Sequence, residues 1–380
     1  MKNKSSVYIR TFGCQMNERD SEFVTGILLE KGFCLADSPD KADVVIYNSC
    51  SVRKHAEDRM ISNMGQLKKI KKDNPDIIMG IMGCTAEHRG KGLFNSLPHL
   101  DFVCGTGNIG TIPDIIKKII KKREKELHVG KLSGHLPEAN PRHRNDKRSA
   151  YVSISRGCNN YCTYCIVPYV RGNERSRRPD DIIKEVEDLL VRGYVNITLL
   201  GQNVNSYGKD LEGNINFVKL LRAMDALNGK KNIKFMTSHP KDASIELFET
   251  MGELKGISKH LHLPAQSGSD KILLNMNRRY DSKYYLSKIK HFRKIVPDHM
   301  LTTDVIVGFP GETEKDFEAT KSLLKQVRFN AAYIFKYSPR PPAPSSKMED
   351  DVPREVKEKR HRELLVLQKS ISKNKRILYD

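Results

Sequence analysis

The chain has 380 residues, enough for two or three domains with cores of their own and far too many for a peptide hormone or a disulfide-stapled miniprotein. Its 66 Lys and Arg against 46 Asp and Glu give a formal charge of +20, which favours a polyanionic partner, nucleic acid ahead of a membrane surface. No run of about 18 apolar residues and no apolar leader segment occurs, and eight cysteines scattered over so long a chain point to metal ligation or redox chemistry in a reducing compartment, the cytoplasm.

The N-terminal third repeats one device three times. Residues 7–12 predict a strand, Gly13-Cys14 the turn after it, and residues 17–31 a helix closed by Gly32. Residues 44–48 predict a second strand, followed by Cys50 and a long helix over 53–72 that stops before Pro75. The third copy is a strand over 77–82, then Gly83-Cys84, then a short helix. Alternating strands and helices predict a parallel sheet with right-handed crossovers, so the loops that follow the strands share one edge. Cys14, Cys50 and Cys84 should therefore meet where such sheets bind ligands. Three converging thiols without a fourth suggest a three-cysteine iron–sulfur cluster, set against the plainer reading of small buried hydrophobes. Cys34 and Cys104 lack that placement and are read as buried thiols. Residues 117–148 hold eleven Lys and Arg against four Asp and Glu, with Gly130, Gly134, Pro137 and Pro141. They read as a helix end running into a basic linker, either a solvated tether or an RNA-contacting segment.

Beyond the linker the alternation resumes. Strands are predicted over 151–155, 195–200, 233–237, 260–263, 300–307 and 332–337, with helices over 179–192, 217–227, 243–254, 283–295 and 313–327 between them. Pro179 suits a first helical position, with Asp180 and Asp181 at the positive helix end. Six units predict an incomplete (β/α)6 barrel with a lateral opening for a large substrate and with reactive residues at the C-terminal strand ends. After the first of these strands comes Arg156-Gly157-Cys158-Asn159-Asn160-Tyr161-Cys162-Thr163-Tyr164-Cys165. Structural zinc takes four ligands, and no second cysteine pair stands nearby. A [4Fe–4S] cluster held by three thiolates instead keeps one iron open to a small chelating molecule. Polar groups fall at matching places after later strands: Gly201-Gln202-Asn203, Ser238-His239-Pro240, residues 264–268 and residues 308–313. Each alone reads as a turn or helix cap, His239 above all.

The cysteine spacing, with Tyr164 just before the last cysteine, resembles the radical S-adenosylmethionine (SAM) enzymes, whose open iron binds the amine and carboxylate of SAM. The rest of SAM needs hydrogen bonds to its ribose and adenine, for which Tyr164, Gln202, Asn203, Ser238, Gln266 and Asp304 are chemically suited. Over its whole length the chain resembles the radical-SAM methylthiotransferases. Thr11-Phe12-Gly13-Cys14-Gln15-Met16-Asn17-Glu18-Arg19-Asp20-Ser21-Glu22 and Asn48-Ser49-Cys50-Ser51-Val52-Arg53 look like the MiaB branch, which modifies tRNA.

The resemblance implies an α/β chain with a parallel N-terminal methylthiotransferase domain at 1–124, a basic linker at 125–149, a radical-SAM partial barrel at 150–345 and a basic helical segment at 346–380. It also implies SAM and two [4Fe–4S] clusters, an auxiliary one on Cys14, Cys50 and Cys84 and the SAM cluster on Cys158, Cys162 and Cys165. No catalytic side chain is expected beyond these ligands. The implied reaction adds a methylthio group to C2 of N6-isopentenyladenosine beside the tRNA anticodon, where an unactivated C–H bond calls for radical chemistry. The implied partners are the tRNA anticodon loop and an electron donor such as flavodoxin or ferredoxin. The protein is expected to be a monomer with no membrane attachment. Other branches act on threonylcarbamoyl-adenosine in tRNA or on a ribosomal protein side chain, and a non-catalytic, metal-containing RNA-binding protein is the remotest alternative. Two departures stand out. The small β-barrel TRAM domain that the resemblance leads one to expect after the basic helix is not among these 380 residues, so either this is a truncated product or RNA contact falls to the remaining surface, and Arg340-Pro341-Pro342-Ala343-Pro344 replaces an expected Arg-x-Gly-Thr, so that proline fixes φ where glycine left it free.

Overall fold

A computed structural model describes residues 5–52, 54–130 and 143–376. The predicted helix start at Arg53, the linker stretch 131–142 with Gly134, Pro137 and Pro141, and residues 377–380 of the basic tail lie outside the described residues. The chain forms two compact units, one of Met1–Lys147 with Tyr169–Gly172, the other of Arg148–Pro168 with Asn173–Asp380.

The first unit is a parallel sheet of strands β1 (Ser6–Phe12), β2 (Cys34–Leu35), β3 (Val44–Ser49), β4 (Ile78–Met82), β5 (Phe102–Cys104) and β6 (Glu126–His128), in the order β2-β1-β3-β4-β5-β6. Its central strand β3 is buried at every position, as an apolar run in a sheet covered on both faces should be. Val44 and Ile46 face one core with Phe23, Val24 and Leu28 of helix α1 (Gln15–Glu30), while Val45 and Tyr47 face another with Met60 and Met64 of α2 (Lys54–Gln66). Every third or fourth residue of the helix Ile112–Lys122, namely Ile112, Ile115, Ile116 and Ile119, closes the first core, the spacing of an amphipathic helix. Burying such side chains contributes about 1.5–3 kcal/mol each.

Two expectations are corrected here. The long helix predicted over 53–72 is two helices, Lys54–Gln66 and Lys68–Asp73, because the Leu67 amide donates to Met64 O at 3.1 Å, three residues back, while its side chain turns into the core. Cys34 is exposed on the two-residue edge strand β2 rather than buried, whereas Cys104 is fully buried in β5.

Among the described residues the wall of the second unit is built from six strands, β7 (Ser149–Ser153), β8 (Asn196–Leu200), β9 (Asn232–Phe235), β10 (His260–His262), β11 (Met300–Val307) and β12 (Ala331–Lys336), beside a short antiparallel pair of Ser155–Arg156 with Arg175–Ser176. They form two parallel three-stranded sheets, ordered β9-β8-β7 and β10-β11-β12, joined by a single bridge between Ile233 and Ile257. Helices Pro179–Val191, Phe217–Asp225, Ile245–Glu253, Ser282–Ile295 and Glu314–Val327 alternate with them. This is the partial barrel expected from the sequence, and one continuous core of Val152, Leu199, Phe235, Leu261, Val305 and their neighbours fills it. The basic helix Arg354–Arg376 is docked onto this unit. Arg360 Nη1 lies 2.8 Å from Glu312 Oε2, both nearly fully buried, and Gln368 Nε2 donates to Phe329 O at 2.9 Å.

Candidate functional site

In the first unit, β1, β3 and β4 are neighbours in register, and the three cysteines follow their C-terminal ends directly: Cys14 two residues after β1, Cys50 one after β3, Cys84 two after β4. Cys14 has extended backbone as the N-cap of α1, and its Sγ donates to Asn17 Oδ1 at 3.3 Å. Behind it, Asn17 Nδ2 donates to Asn48 Oδ1 at 2.9 Å, and Asn48 Nδ2 returns to Asn17 O at 2.8 Å and to Ser21 Oγ at 3.0 Å. Asn48 in turn dictates Gly83: a Cβ there would sit 2.2 Å from Asn48 Oδ1, and the residue has φ +93°, a region glycine enters freely. Glycine at 83 thus swings the chain so that Cys84 opens the next helix.

The Cys14 thiol is lowered to about 5, chiefly by a hydrogen bond from Cys50, with the Arg171 guanidinium adding to the effect. The same bond, then burial, pushes Cys50 well up, and burial pushes Cys84 up. Metal ligation would take the proton from each of these thiols that still holds one. Cys14 is exposed, while Cys50 and Cys84 are buried. As the side chains stand, no group of three or more His, Cys, Asp or Glu among the described residues is arranged to hold a metal ion. The surroundings nevertheless suit an iron–sulfur cluster. The buried hydroxyls of Ser49, Ser51 and Thr85, each next to Cys50 or Cys84, have no hydrogen-bond partner among the described residues, and neither has Arg171 Nη1. These are donors that cluster sulfurs can accept from.

In the second unit the cysteine loop follows β7 and is pinned at several points. Gly157 N donates to Gln202 Oε1, Thr163 N to Met276 O at 3.1 Å, Thr163 Oγ1 to Asn275 O at 2.8 Å, and Ser345 N to Thr163 O at 2.8 Å. Cys158 and Cys162 are buried and Cys165 is half-buried; burial pushes the Cys158 thiol up to about 11 and that of Cys165 up to about 12. Arg278, which the sequence reading missed, is buried against this loop. Its Nη1 lies 3.3 Å from both Cys162 Sγ and Tyr164 OH, its Nη2 donates to Pro264 O at 2.9 Å, and its Nε to Tyr280 OH at 3.0 Å.

Of the residues expected to hold SAM, Asn203, Ser238 and Gln266 are buried at strand ends, and Asn203 Oδ1, Ser238 Oγ and Gln266 Oε1 have no hydrogen-bond partner among the described residues. Ser153 Oγ and Ser155 Oγ are in the same condition. A polar ligand that meets these atoms removes the cost of leaving them unpaired, and SAM fits that set. Gln202 and Tyr164 are engaged otherwise, Gln202 bracing the cysteine loop and Tyr164 OH accepting from Arg278 Nη1. Asp304 sits 3.4 Å from His262 Nε2, and Thr302 Oγ1 links His262 Nδ1 at 3.0 Å to His260 Nε2 at 2.8 Å. Asp304 was among the expected residues, but its partners His260, His262 and Thr302 were missed, although polar residues two apart on β10 (260, 262) and on β11 (302, 304) mark one face of each strand. His239 caps a short helix, as the plainer reading had it, and burial lowers its pKa.

Comparison with known proteins fits this geometry. Residues 152–324 match the Radical SAM superfamily, and residues 6–105 match uncharacterized protein family UPF0004. The tRNA-2-methylthio-N(6)-dimethylallyladenosine synthase of Carboxydothermus hydrogenoformans is 46% identical over 371 residues, 97% of this chain and 84% of the relative. The chain belongs to this methylthiotransferase family. The synthases so named from Desulforamulus reducens and Clostridium botulinum are 45% and 44% identical over 98% of this chain, covering 82% and 83% of their own lengths. Outside the methylthiotransferases, the radical SAM methyltransferase TsrM from Kitasatospora setae shares the fold, with a TM-score of 0.65 at 10% identity over 90% of this chain and 74% of that one. Membership makes the chain a radical-SAM enzyme of the methylthiotransferase kind. No helix among the described residues is long and apolar enough to cross a membrane.

Proposed function

We propose that this chain methylthiolates C2 of N6-isopentenyladenosine next to the anticodon of tRNA, using two [4Fe–4S] clusters of three cysteines each. The observation that carries this reading is the meeting of Cys14, Cys50 and Cys84 beyond three adjacent strands, in a chain whose second unit bears a separate radical-SAM cysteine loop. Cys158, Cys162 and Cys165 would hold a [4Fe–4S] cluster that, with SAM, would supply the radical chemistry an unactivated C–H bond demands. The protein's part is placement. Asn203, Ser238 and Gln266 offer buried polar atoms to SAM; the Asn17, Asn48 and Ser21 network holds the Cys14 loop in shape. The target base lies in an RNA loop and must be splayed out to react, at a cost of about a few kcal/mol. A flavodoxin- or ferredoxin-like donor supplies the electrons, and the enzyme works as a cytoplasmic monomer.

Two triple variants test the reading. Alanine at Cys158, Cys162 and Cys165 should abolish reductive SAM cleavage. Alanine at Cys14, Cys50 and Cys84 should lower iron by about half while 5′-deoxyadenosine still forms and methylthiolated nucleoside does not. Full iron content together with methylthiolated tRNA in the second variant would show those three to be ordinary thiols.

A further inference from the structure

The segment Tyr169–Gly172 belongs to the first unit, although its sequence follows the cysteine loop of the second. Thr106 Oγ1 anchors it by donating to Val170 O at 2.6 Å, a buried bond. Arg171 then places its guanidinium in the interior of the first unit, where Nη2 donates to Asp20 Oδ2 at 3.1 Å; the side chains are 4% and 0% exposed. The charge of the guanidinium reaches the thiols of both Cys84 and Cys14, and Asp20, which holds it, lies on α1, the helix that Cys14 caps. Its Nη1 is buried and has no hydrogen-bond partner among the described residues.

A buried guanidinium with an unused donor is costly unless something accepts from it. Asp20 neutralises the charge and fixes the plane of the fork, so the remaining N–H groups have a set direction. The thiols beside them would be cluster ligands, and three ligands leave one iron without a protein donor. The group that completes such an iron in a thiol-lined, partly buried place is a soft sulfur anion, hydrosulfide or a methanethiolate, which accepts charge-assisted hydrogen bonds.

We propose that Arg171, held by Asp20, is the positioning residue that binds and orients a sulfur anion at the open iron of the Cys14, Cys50 and Cys84 cluster. The inference rests on the two-cluster reading given above. Arginine suits the task better than lysine because its fork can serve Asp20 and the anion at once.

The test uses the reconstituted full chain with Cys158, Cys162 and Cys165 replaced by alanine, so that only the first unit's cluster contributes to the spectra. Sodium methanethiolate is titrated against the reduced protein and followed by electron paramagnetic resonance, with iron and sulfide measured in parallel. With Arg171 present, binding should perturb the signal of a cluster of normal iron content. Arg171→Gln should keep that iron content and bind methanethiolate about 10- to 100-fold more weakly, the range for a lost charge-assisted bond. Arg171→Lys, which keeps the charge without the fork, should fall between the two. Equal affinity in all three proteins overturns the inference, and so does loss of the cluster in both the Gln and Lys variants, which would make Arg171 a prop of the fold. Absence of iron with Arg171 intact refutes the two-cluster reading itself, an outcome distinct from the other two.

Discussion

Arg278 stands against one thiol of the cysteine loop. It donates toward Cys162 Sγ at 3.3 Å from a fully buried position braced by Pro264 O and Tyr280. Hydrogen bonds and positive charge at a ligand sulfur stabilise the reduced, more negative cluster and raise its potential. Arg278→Gln should therefore move the midpoint of the SAM cluster to more negative values, as read by a redox titration of the Cys14, Cys50 and Cys84 triple-alanine protein. An unchanged midpoint would leave Arg278 a packing residue. His260 offers a test by pH. Burial first, then the neighbouring His262 and Lys234, lower its pKa to about 4. Between that value and the ordinary 6.5 or so, the unfolded chain binds a proton that the folded one refuses, so stability falls as the pH drops through this window. From pH 7 to pH 5 the wild type should lose about 2 kcal/mol more than His260→Gln. Thermal unfolding at the two pH values measures it, and parallel losses would mean that His260 titrates normally.

At the scale of elements, the sheet of the first unit depends on a close approach between β4 and β5. Gly80 lies under the Phe102 ring, and a Cβ there would stand 2.1 Å from ring carbons. Gly80→Ala should cost about 1–3 kcal/mol through overpacking and lower the unfolding midpoint of that unit by about 3–10 °C. A calorimetric midpoint within 1 °C or so of the wild type would show that the ring can move aside. The strands that carry the cysteines were legible because each is an apolar run closed by glycine or cysteine, and their adjacency follows from parallel-sheet topology. Strands β2, β5 and β6 were not, since two or three residues hold no period to read. The cysteine positions could be read at the same scale, but their partners could not. Arg171 and Arg278 reach the cysteines across 87 and 116 positions of sequence, from Cys84 and Cys162 respectively, and Asn48 reaches Asn17 across 31. Such contacts exist only once the chain has folded. Among the expected SAM-binding residues, those with buried, unpaired polar atoms stand apart from Gln202, whose amide is spent on Gly157. Sequence spacing alone places both kinds at strand ends.

For the molecule as a whole, the excess of 20 positive charges is the feature that bears on RNA. Part of the basic C-terminal helix is already committed, with Arg360 paired to Glu312 and Glu314 and Lys357 to Asp350. Basic side chains on the surface are the ones that can meet phosphates. Log affinity for tRNA should fall against log salt with a slope of about −0.7 to −0.9 for each phosphate contact. Filter binding between low and moderate salt measures it, and an affinity indifferent to salt would place recognition elsewhere than in charge.

The barrel wall, finally, is not uniformly knit. Between β11 and β12 six residue pairs stand in register, whereas β9 and β10 are linked through one bridge, with Ile233 N donating to Gly256 O and Ser258 N to Ile233 O. The two halves of the wall can therefore breathe along that seam at less cost than within either half, since fewer bonds must break together. In hydrogen exchange, the amides of Ile233 and Ser258 should become deuterated well before those of Val305 and Ile334, dividing the second unit into two slow-exchanging panels with a fast line between them.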